Sequence, residues 1–343
     1  MTTIKKDIKS VHNSIIKTII IVYNLLKTNY KIKIGGKMWN NKRYHTLDYE
    51  FKKTFGEKTI KLSIDGNFTC PNRDGTISNN GCIFCSERGS GDFTSEKSKT
   101  ISAQINEQKA IMSKKWISNT YIAYFQNYTN TYDTVENLRI KFYEALSCPD
   151  IKGLAIATRP DCINEEIVEL LAEINSKTFL WIELGLQTIN EKTATLIRRG
   201  YKLCEFDKAV KLLKQNNINI VVHLIIGLPN ETKEQFLNSA KYVSNLNIWG
   251  IKLHMLYVLR KTDLEKYYEE KSFNILSQDE YIDIVCDTLE LLSPDIVIHR
   301  LTGDGKKSDL IAPLWSLNKL KVLSDIDREL RNRQSFQGIN AAL

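Results

Sequence analysis

Phe179-Leu180-Trp181-Ile182-Glu183-Leu184-Gly185-Leu186-Gln187 is the stretch on which the fold turns. Read as a strand, it puts Trp181, Glu183, Gly185 and Gln187 on one side and Ile182, Leu184 and Leu186 on the other. The aliphatic side is a face made to pack under helices. The other side carries an indole, a carboxylate and an amide. A strand sandwiched between two helical layers does not accept that set, whereas a barrel interior near the C-terminal strand ends does, because active-site groups gather there.

Outward from this strand the same grammar repeats. Short β-branched runs occur at Thr59–Asp65, Thr120–Gln126, Gly153–Thr158, Ile218–Ile226, Gly250–Leu256 and Asp295–Leu301. Helical periods separate them. After Asn164 as an N-cap, Ile167, Leu170, Leu171 and Ile174 recur at i, i+3, i+4 and i+7, and Phe206, Ala209, Val210 and Leu213 do likewise. Thr232 with Gln235, and Ser277 with Glu280, read as capping boxes. A further helix is expected to carry Ile101, Ile105, Met112 and Trp116. Such alternation predicts parallel strands with right-handed crossovers, and no Gly-x-Gly-x-x-Gly follows the first strand to favour a dinucleotide fold. The expected fold class is therefore α/β, a (β/α) barrel in a single domain.

The 343 residues are 42% apolar and 26% charged with seven cysteines, which excludes collagenous, mucin-like and disulfide-scaffold chains. The net charge of +8 is concentrated at the front, where residues 1–37 hold eight lysines and one acid, leaving +1 for the remainder. Ile15–Leu26 is interrupted by Lys17 and Asn24 and falls short of the ~20 apolar residues of a membrane span. No membrane association by spanning is expected, and no signal-peptide cleavage site follows. Gly35-Gly36-Lys37 before Met38 reads as a translated ribosome-binding sequence, so Met38 is the expected native start; the alternative is a short surface or membrane-lying amphipathic segment. The barrel is expected over 38–315, with a basic helix closing it over 316–343.

Three cysteines crowd the loop after the first strand, Cys70-x11-Cys82-x2-Cys85, with Pro71, Gly75 and Gly81 for turns. Three thiolates on a 4Fe-4S cluster leave one iron free of protein. An open iron of that kind can chelate S-adenosylmethionine and, when reduced, split it to a 5′-deoxyadenosyl radical. The competing reading is a zinc site completed by His45 or Cys148. Cys148, Cys162, Cys204 and Cys286 read as buried small apolar residues.

From Met38 to about Gly338 the chain resembles radical S-adenosylmethionine enzymes, in particular the bacterial subfamily related to the radical domain of the elongator catalytic subunit. The matching segments include Asp65 to Gly75, Gly81-Cys82-Ile83-Phe84-Cys85, Gly89 to Phe93, Tyr124 to Tyr132, Thr158-Arg159-Pro160-Asp161, Glu183 to Gln187, Gly227-Leu228-Pro229 and His299 to Asp304. The resemblance implies a partial (β/α) TIM-like barrel of the radical SAM type. It implies that Cys70, Cys82 and Cys85 hold the cluster and that Phe84 packs near the adenine. Relatives carry a glycine run where this chain has Gln126 to Thr129, so the Gln126 amide is expected in its place. Gln187, Arg199 and His223 match positions that contact the ribose, carboxylate or adenosyl end, and Glu183 lies beside them. The alternatives are a Glu183–lysine pair inside the barrel, a helix-ending Arg198-Arg199-Gly200, and a hydrogen-bonded core His223.

Lys252, His254, His299, Arg300 and Asp304, from the ends of the last two strands, are expected to face substrate. Arg328, Arg331 and Arg333, flanked by Trp315 and Phe336, could position RNA phosphates, or form a solvated helix neutralised by Asp325, Asp327 and Glu329. Relatives are associated with tRNA wobble-uridine side chains. The resemblance thus implies action on the tRNA anticodon region, converting carboxymethylaminomethyl to aminomethyl, with a donor such as flavodoxin or ferredoxin in a reducing cytoplasm. The other readings are a radical enzyme on a small metabolite or porphyrin-like substrate, and a zinc-stabilised binding protein without catalysis.

Overall fold

A computed structural model describes residues 39–87, 89, 99–303 and 305–341. The basic extension 1–37, with its expected start site, lies outside these residues, as do Arg88, Ser90 to Phe93 and Asp304. The chain divides at Arg43/Tyr44, and the architecture below is that of the unit from Tyr44 onward.

All seven expected strands form: β1 (Ile60–Ile64), β2 (Tyr121–Phe125), β3 (Ile151–Thr158), β4 (Phe179–Gln187), β5 (Asn219–Ile226), β6 (Gly250–Met255) and, after a short β7 (Val258–Leu259), β8 (Val297–Arg300). The seven pair in parallel in the order β1-β2-β3-β4-β5-β6-β8 and curl into a partial barrel. Helices α1 (Leu47–Phe55), α2 (Ile101–Ser113), α3 (Val135–Ser147), α4 (Glu165–Asn175), α5 (Glu191–Leu196), α6 (Leu203–Gln215), α7 (Lys233–Asn245), α8 (Asp263–Glu269), α9 (Gln278–Leu291) and α10 (Lys319–Asn332) accompany it. The expected caps are in place: Asn164 accepts from Ile167 N–H, and the boxes at Thr232/Gln235 and Ser277/Glu280 are complete on both sides. Each such cap contributes about 1 kcal/mol. Trp116 lies beyond the end of α2, where a β-turn of backbone bonds to Met112 ends the helix, and it is half-exposed under the Lys58 ammonium. Sequence reading did not foresee β7 and β9 (Leu310–Ala312), which pair antiparallel as a separate small sheet.

Two layers of burial follow from strand alternation. Leu180, Ile182, Leu184 and Leu186 of β4 join the main core between sheet and helices, with Leu62, Ile64, Leu154, Val222 and Leu213. Each wholly buried aliphatic stabilises the fold by about 1.5–3 kcal/mol. The inward faces form a second cluster of Tyr124, Ala155, Ala157, Trp181 and Val221. At its N-terminal end α1 stops the barrel: Phe51 packs on Trp181 at 6.0 Å between ring centres, and Phe55 on Phe179 at 5.4 Å. Trp249 stands 5.4 Å from Trp181 in the same aromatic floor. The C-terminal strand ends carry the loops that hold polar chemistry.

Candidate active site

The cysteine loop leaves β1 and is tied down at once. Asp65 N–H donates to Gln104 Oε1 and Gln104 Nε2 returns a bond to Asp65 O, both 2.9 Å, while Asn127 Nδ2 donates to Asp65 Oδ2 at 2.6 Å. Gly66 must be glycine, because a Cβ there would lie 2.3 Å from the Phe68 ring. Arg73 and Asp74 N–H groups both donate to Cys70 O, and Cys85 N–H donates to Cys82 O at 3.1 Å. Asn72 Nδ2 reaches Cys82 Sγ (3.6 Å) and Arg198 O (2.7 Å), and Arg73 donates to Cys85 O and Ser86 O. The loop is thus a cage of backbone bonds around three free, half-buried thiols.

Of the neighbouring pair Cys82 and Cys85, Cys82 gives up its proton the more readily. A hydrogen bond from Cys85 outweighs burial and draws Cys82 down to about 7, with the Arg159 guanidinium, Asn72 and Arg73 adding to the effect. Arg159 was not singled out from the sequence; it is held by a fork to Asp161 (3.0 and 2.8 Å) and donates to Arg199 O at 2.8 Å. Cys162 is half-buried next to it, and burial pushes its thiol up to about 12. The zinc alternative loses its fourth ligand. His45 is bonded to Gln337 and Glu50 beside the start of β8, and Cys148 ends α3 just before β3, so both sit at the N-terminal strand ends, opposite the loop. Among the described residues no three His, Cys, Asp or Glu side chains converge as a single ion requires. A cluster spreads its three ligands over separate irons, and the donor set fits that group.

Inside the barrel, the β4 alternation does what it predicts. Glu183 is fully buried and accepts from Trp181 Nε1 and His223 Nε2, both at 2.9 Å, and from Lys252 Nζ, which also donates to Tyr124 Oη at 3.0 Å. Burial alone would raise the Glu183 carboxyl, but Lys252, then the His223 bond and Lys61, hold it well below the usual carboxylate range. Burial, reinforced by Lys252, draws His223 down to about 4, so its imidazole is neutral near pH 7 and donates to Glu183. His254 lies 5.2 Å from His223, ring to ring. Both the lysine pair and the hydrogen-bonded histidine weighed from the sequence are therefore present together.

Other expected residues are placed as follows. Gln187 ends β4 half-buried at φ +64°, after a bulge that separates it from Gly185. Gln126 Oε1 accepts from Ser63 Oγ at 3.0 Å at the mouth. Phe84 packs with Ile83, Ile197, Leu228 and Ile225 in an apolar cluster beneath the loop. Arg199 is buried and turned away from the lumen: it donates to Leu186 O, Thr188 O and Tyr201 O and meets Glu191, fastening the chain before Gly200 (φ +83°). His299 faces the aromatic floor, 4.8 Å from Trp249 and 5.7 Å from Trp181, rather than the mouth. Lys61, which alternation puts inside β1 with Ser63, was overlooked; its ammonium lies 5.0 Å from the Tyr124 ring. Beyond β5, Glu231 accepts from Thr188 Oγ1 while its Oε2 is enclosed without a partner, and burial pushes the carboxyl up to about 7.

The basic helix α10 is not at the mouth. Arg333 meets Asp283, Asp287, Glu290 and Glu329, and Arg328 pairs with Asp325 at 2.8 Å; Arg331 is exposed. Gln337, just beyond, donates to Ser293 O and Ile296 O ahead of β8, which fixes this end near the N-terminal strand ends. Trp315 donates to Leu276 O and packs on Tyr281.

Residues 74–243 match the Radical SAM superfamily and residues 248–332 the Radical SAM C-terminal domain. The chain is 46% identical to the YtqA protein of Bacillus subtilis (strain 168), across 87% of this chain and 92% of that protein. It is 24% identical to a tRNA uridine(34) acetyltransferase of Dehalococcoides mccartyi (strain CBDB1), across 44% of this chain and 33% of that protein. Among solved structures, archaeal Methanocaldococcus infernus Elp3 with an N-terminal deletion shares the fold, with a TM-score of 0.61 at 14% identity. That alignment covers 81% of this chain and 64% of the archaeal one.

Proposed function

This chain belongs to the radical SAM superfamily, and from that premise we propose that it acts on tRNA, trimming the carboxymethylaminomethyl side chain of a wobble uridine to aminomethyl. The observation that carries the reading is a lumen built of fixed charges, Glu183, Lys252, His223 and Tyr124, opening at the same strand ends as the cysteine loop. The uridine-modifying relative from Dehalococcoides supports the choice of polymer.

Cys70, Cys82 and Cys85 would hold a 4Fe-4S cluster, which with S-adenosylmethionine supplies a 5′-deoxyadenosyl radical able to take a hydrogen atom from an unactivated carbon. Phe84 and Ile225 offer the apolar wall for the adenine, and the Gln187 and Gln126 amides the polar contacts around it. Hydrogen abstraction moves no net charge, so Glu183 need not act as a base; clamped by three donors, it holds the lumen's polarity in place. Lys252, His254 and Arg300 would line the substrate side, with Asp304 four residues beyond Arg300 in the sequence. The carbon attacked lies between nitrogen and carboxylate, where the nitrogen lone pair stabilises the product radical. Loss of the two-carbon unit would be a two-electron oxidation of the side chain: one electron leaves with the hydrogen atom taken by the 5′ carbon, and the radical's remaining electron would replace the one spent in cleaving S-adenosylmethionine, after which water would split the C=N bond to the amine and a two-carbon aldehyde acid. An anticodon base is already unpaired and turns out at little cost.

The test is anaerobic turnover of the iron-loaded protein with tRNA from cells lacking it, followed by nucleoside mass spectrometry. Expected are 5′-deoxyadenosine and aminomethyluridine in equal amounts, with both lost in Cys70→Ala, Cys82→Ala and Cys85→Ala. Cleavage of S-adenosylmethionine with no change in any tRNA nucleoside would move the reading to a small-molecule substrate.

A further inference from the structure

The lumen holds more positive than negative charge. Lys61 and Lys252 both face Glu183, the one carboxylate among the described lumen residues, and Lys252 is already in contact with it. Lys61 instead lies against aromatic faces, 5.0 Å from Tyr124 and 6.0 Å from Trp181. Burial draws Lys61 below the usual lysine range; the Glu183 carboxylate opposes that shift, and Arg300, from the opposite edge strand, adds to it. His223 and His299 are neutral there, with burial holding both down. The His254 ring is drawn down likewise, and its Nε2 is enclosed with no hydrogen-bond partner.

A half-buried ammonium without its own anion is costly, and an enclosed ring nitrogen without a partner is costly too. Natural cores avoid both unless a ligand completes them. A single carboxylate entering the lumen would give Lys61 a counter-ion and lie within the field of Lys252; a water or hydroxyl would satisfy His254 but not the charge. Glu183 is the one anion there, and its carboxylate is already engaged by Lys252, His223 and Trp181.

We propose that the lumen is a carboxylate receptor, in which Lys61 and Lys252 bind the carboxylate of the substrate side chain and His254 completes its hydrogen bonding. The proposal rests on the functional reading above for the identity of the polymer that carries the carboxylate. Lys61 is a specificity residue on this account: it distinguishes the carboxylated side chain from the product, which has lost that charge and so leaves.

Equilibrium binding to full-length, cluster-loaded protein tests it. Two anticodon stem-loop RNAs of one sequence are compared, one with carboxymethylaminomethyluridine and one with aminomethyluridine, together with N-methylglycine as a small carboxylate probe followed by the broadening of its methyl signal. The wild type is expected to prefer the carboxylated RNA by about tenfold, as one charge-assisted contact gives. Lys61→Met is expected to abolish the preference while leaving affinity for the aminomethyl RNA unchanged, and Lys61→Arg to retain it. Lys61→Gln serves in place of Lys61→Met should the latter not fold. Equal affinity of the wild type for the two RNAs, or an undiminished preference in Lys61→Met, overturns the carboxylate receptor and leaves the tRNA reading intact. Failure of both RNAs to bind, with N-methylglycine binding that disappears in Lys61→Met, retains the receptor and overturns the tRNA reading.

Discussion

Glu183 and Glu231 show what a single buried acid does under opposite conditions. Glu183 has three donors, so removing its charge strands Lys252 in the lumen; Glu183→Gln is expected to lower stability by about 3–5 kcal/mol, read from urea midpoints at pH 7. Glu231 has one donor and an enclosed, unsatisfied oxygen, and its folded-state value near 7 exceeds the ordinary 4.5. A raised carboxyl favours the fold fully only below about 4.5, and that contribution is lost as pH rises to 7. Glu231→Gln should therefore match the wild type near pH 4.5 and exceed it progressively up to pH 7, by as much as about 3 kcal/mol, then hold that margin at pH 8. A margin that shrinks with rising pH would contradict the assignment. At this scale the sequence was a partial guide. Cys70, Cys82, Cys85, Glu183 and Lys252 stood out by spacing and side, whereas Arg199 stood between two readings, a cofactor contact and a helix-ending residue. An arginine before a glycine looks the same whether its guanidinium meets a ligand or closes carbonyls, and only the paths of β4 and α5 decide that Leu186 and Thr188 take it.

Among elements, the strands were the most legible part of the chain, because each presents one aliphatic face to the helices at a strict period of two. Edges moved by a residue or two: the seventh run, Asp295–Leu301, pairs only over Val297–Arg300. Small β7 and β9 escaped notice since Val258-Leu259 and Leu310 to Ala312 are too short for any period to register. The sheet also makes a sharp demand at Gly153 in β3. A Cβ there would lie 2.1 Å from the Phe179 carbonyl oxygen, a backbone atom that cannot rotate aside. Gly153→Ala is expected to destabilise the protein by about 3 kcal/mol by forcing β3 and β4 apart, as thermal or urea unfolding would register. Gly185 differs, for its added Cβ would meet the end of the Gln187 side chain at 2.6 Å, which can swing away. Gly185→Ala should keep the fold and, on the contact proposed for Gln187, weaken S-adenosylmethionine binding about tenfold, since the displaced amide would lose one hydrogen bond.

For the molecule as a whole, where charge lies matters more than how much there is. The arginines of α10 drew attention as a basic run, yet Arg333 is enclosed by four acids and the helix ends far from the cysteine loop. Exposed Arg260 and Lys261, by contrast, adjoin β7, and Lys306 and Lys307 precede β9, with Arg260 N–H bonded to Asp309 O. That small sheet follows the C-terminal ends of β6 and β8, where the proposed RNA substrate would land. Reversing Arg260 and Lys261 to Glu is expected to weaken tRNA binding and flatten its salt dependence by about two contacts, whereas reversing Arg328 and Arg331 should do so less. Equal losses would return α10 to the interface. The aromatic stopper of Phe51, Phe55, Trp181 and Trp249 has a kinetic meaning as well. With that end closed by aromatic rings, what is seated deepest in the lumen is reached from the C-terminal strand ends. On the proposed function, the cosubstrate would be seated before the macromolecule, and the spent fragments would leave after it.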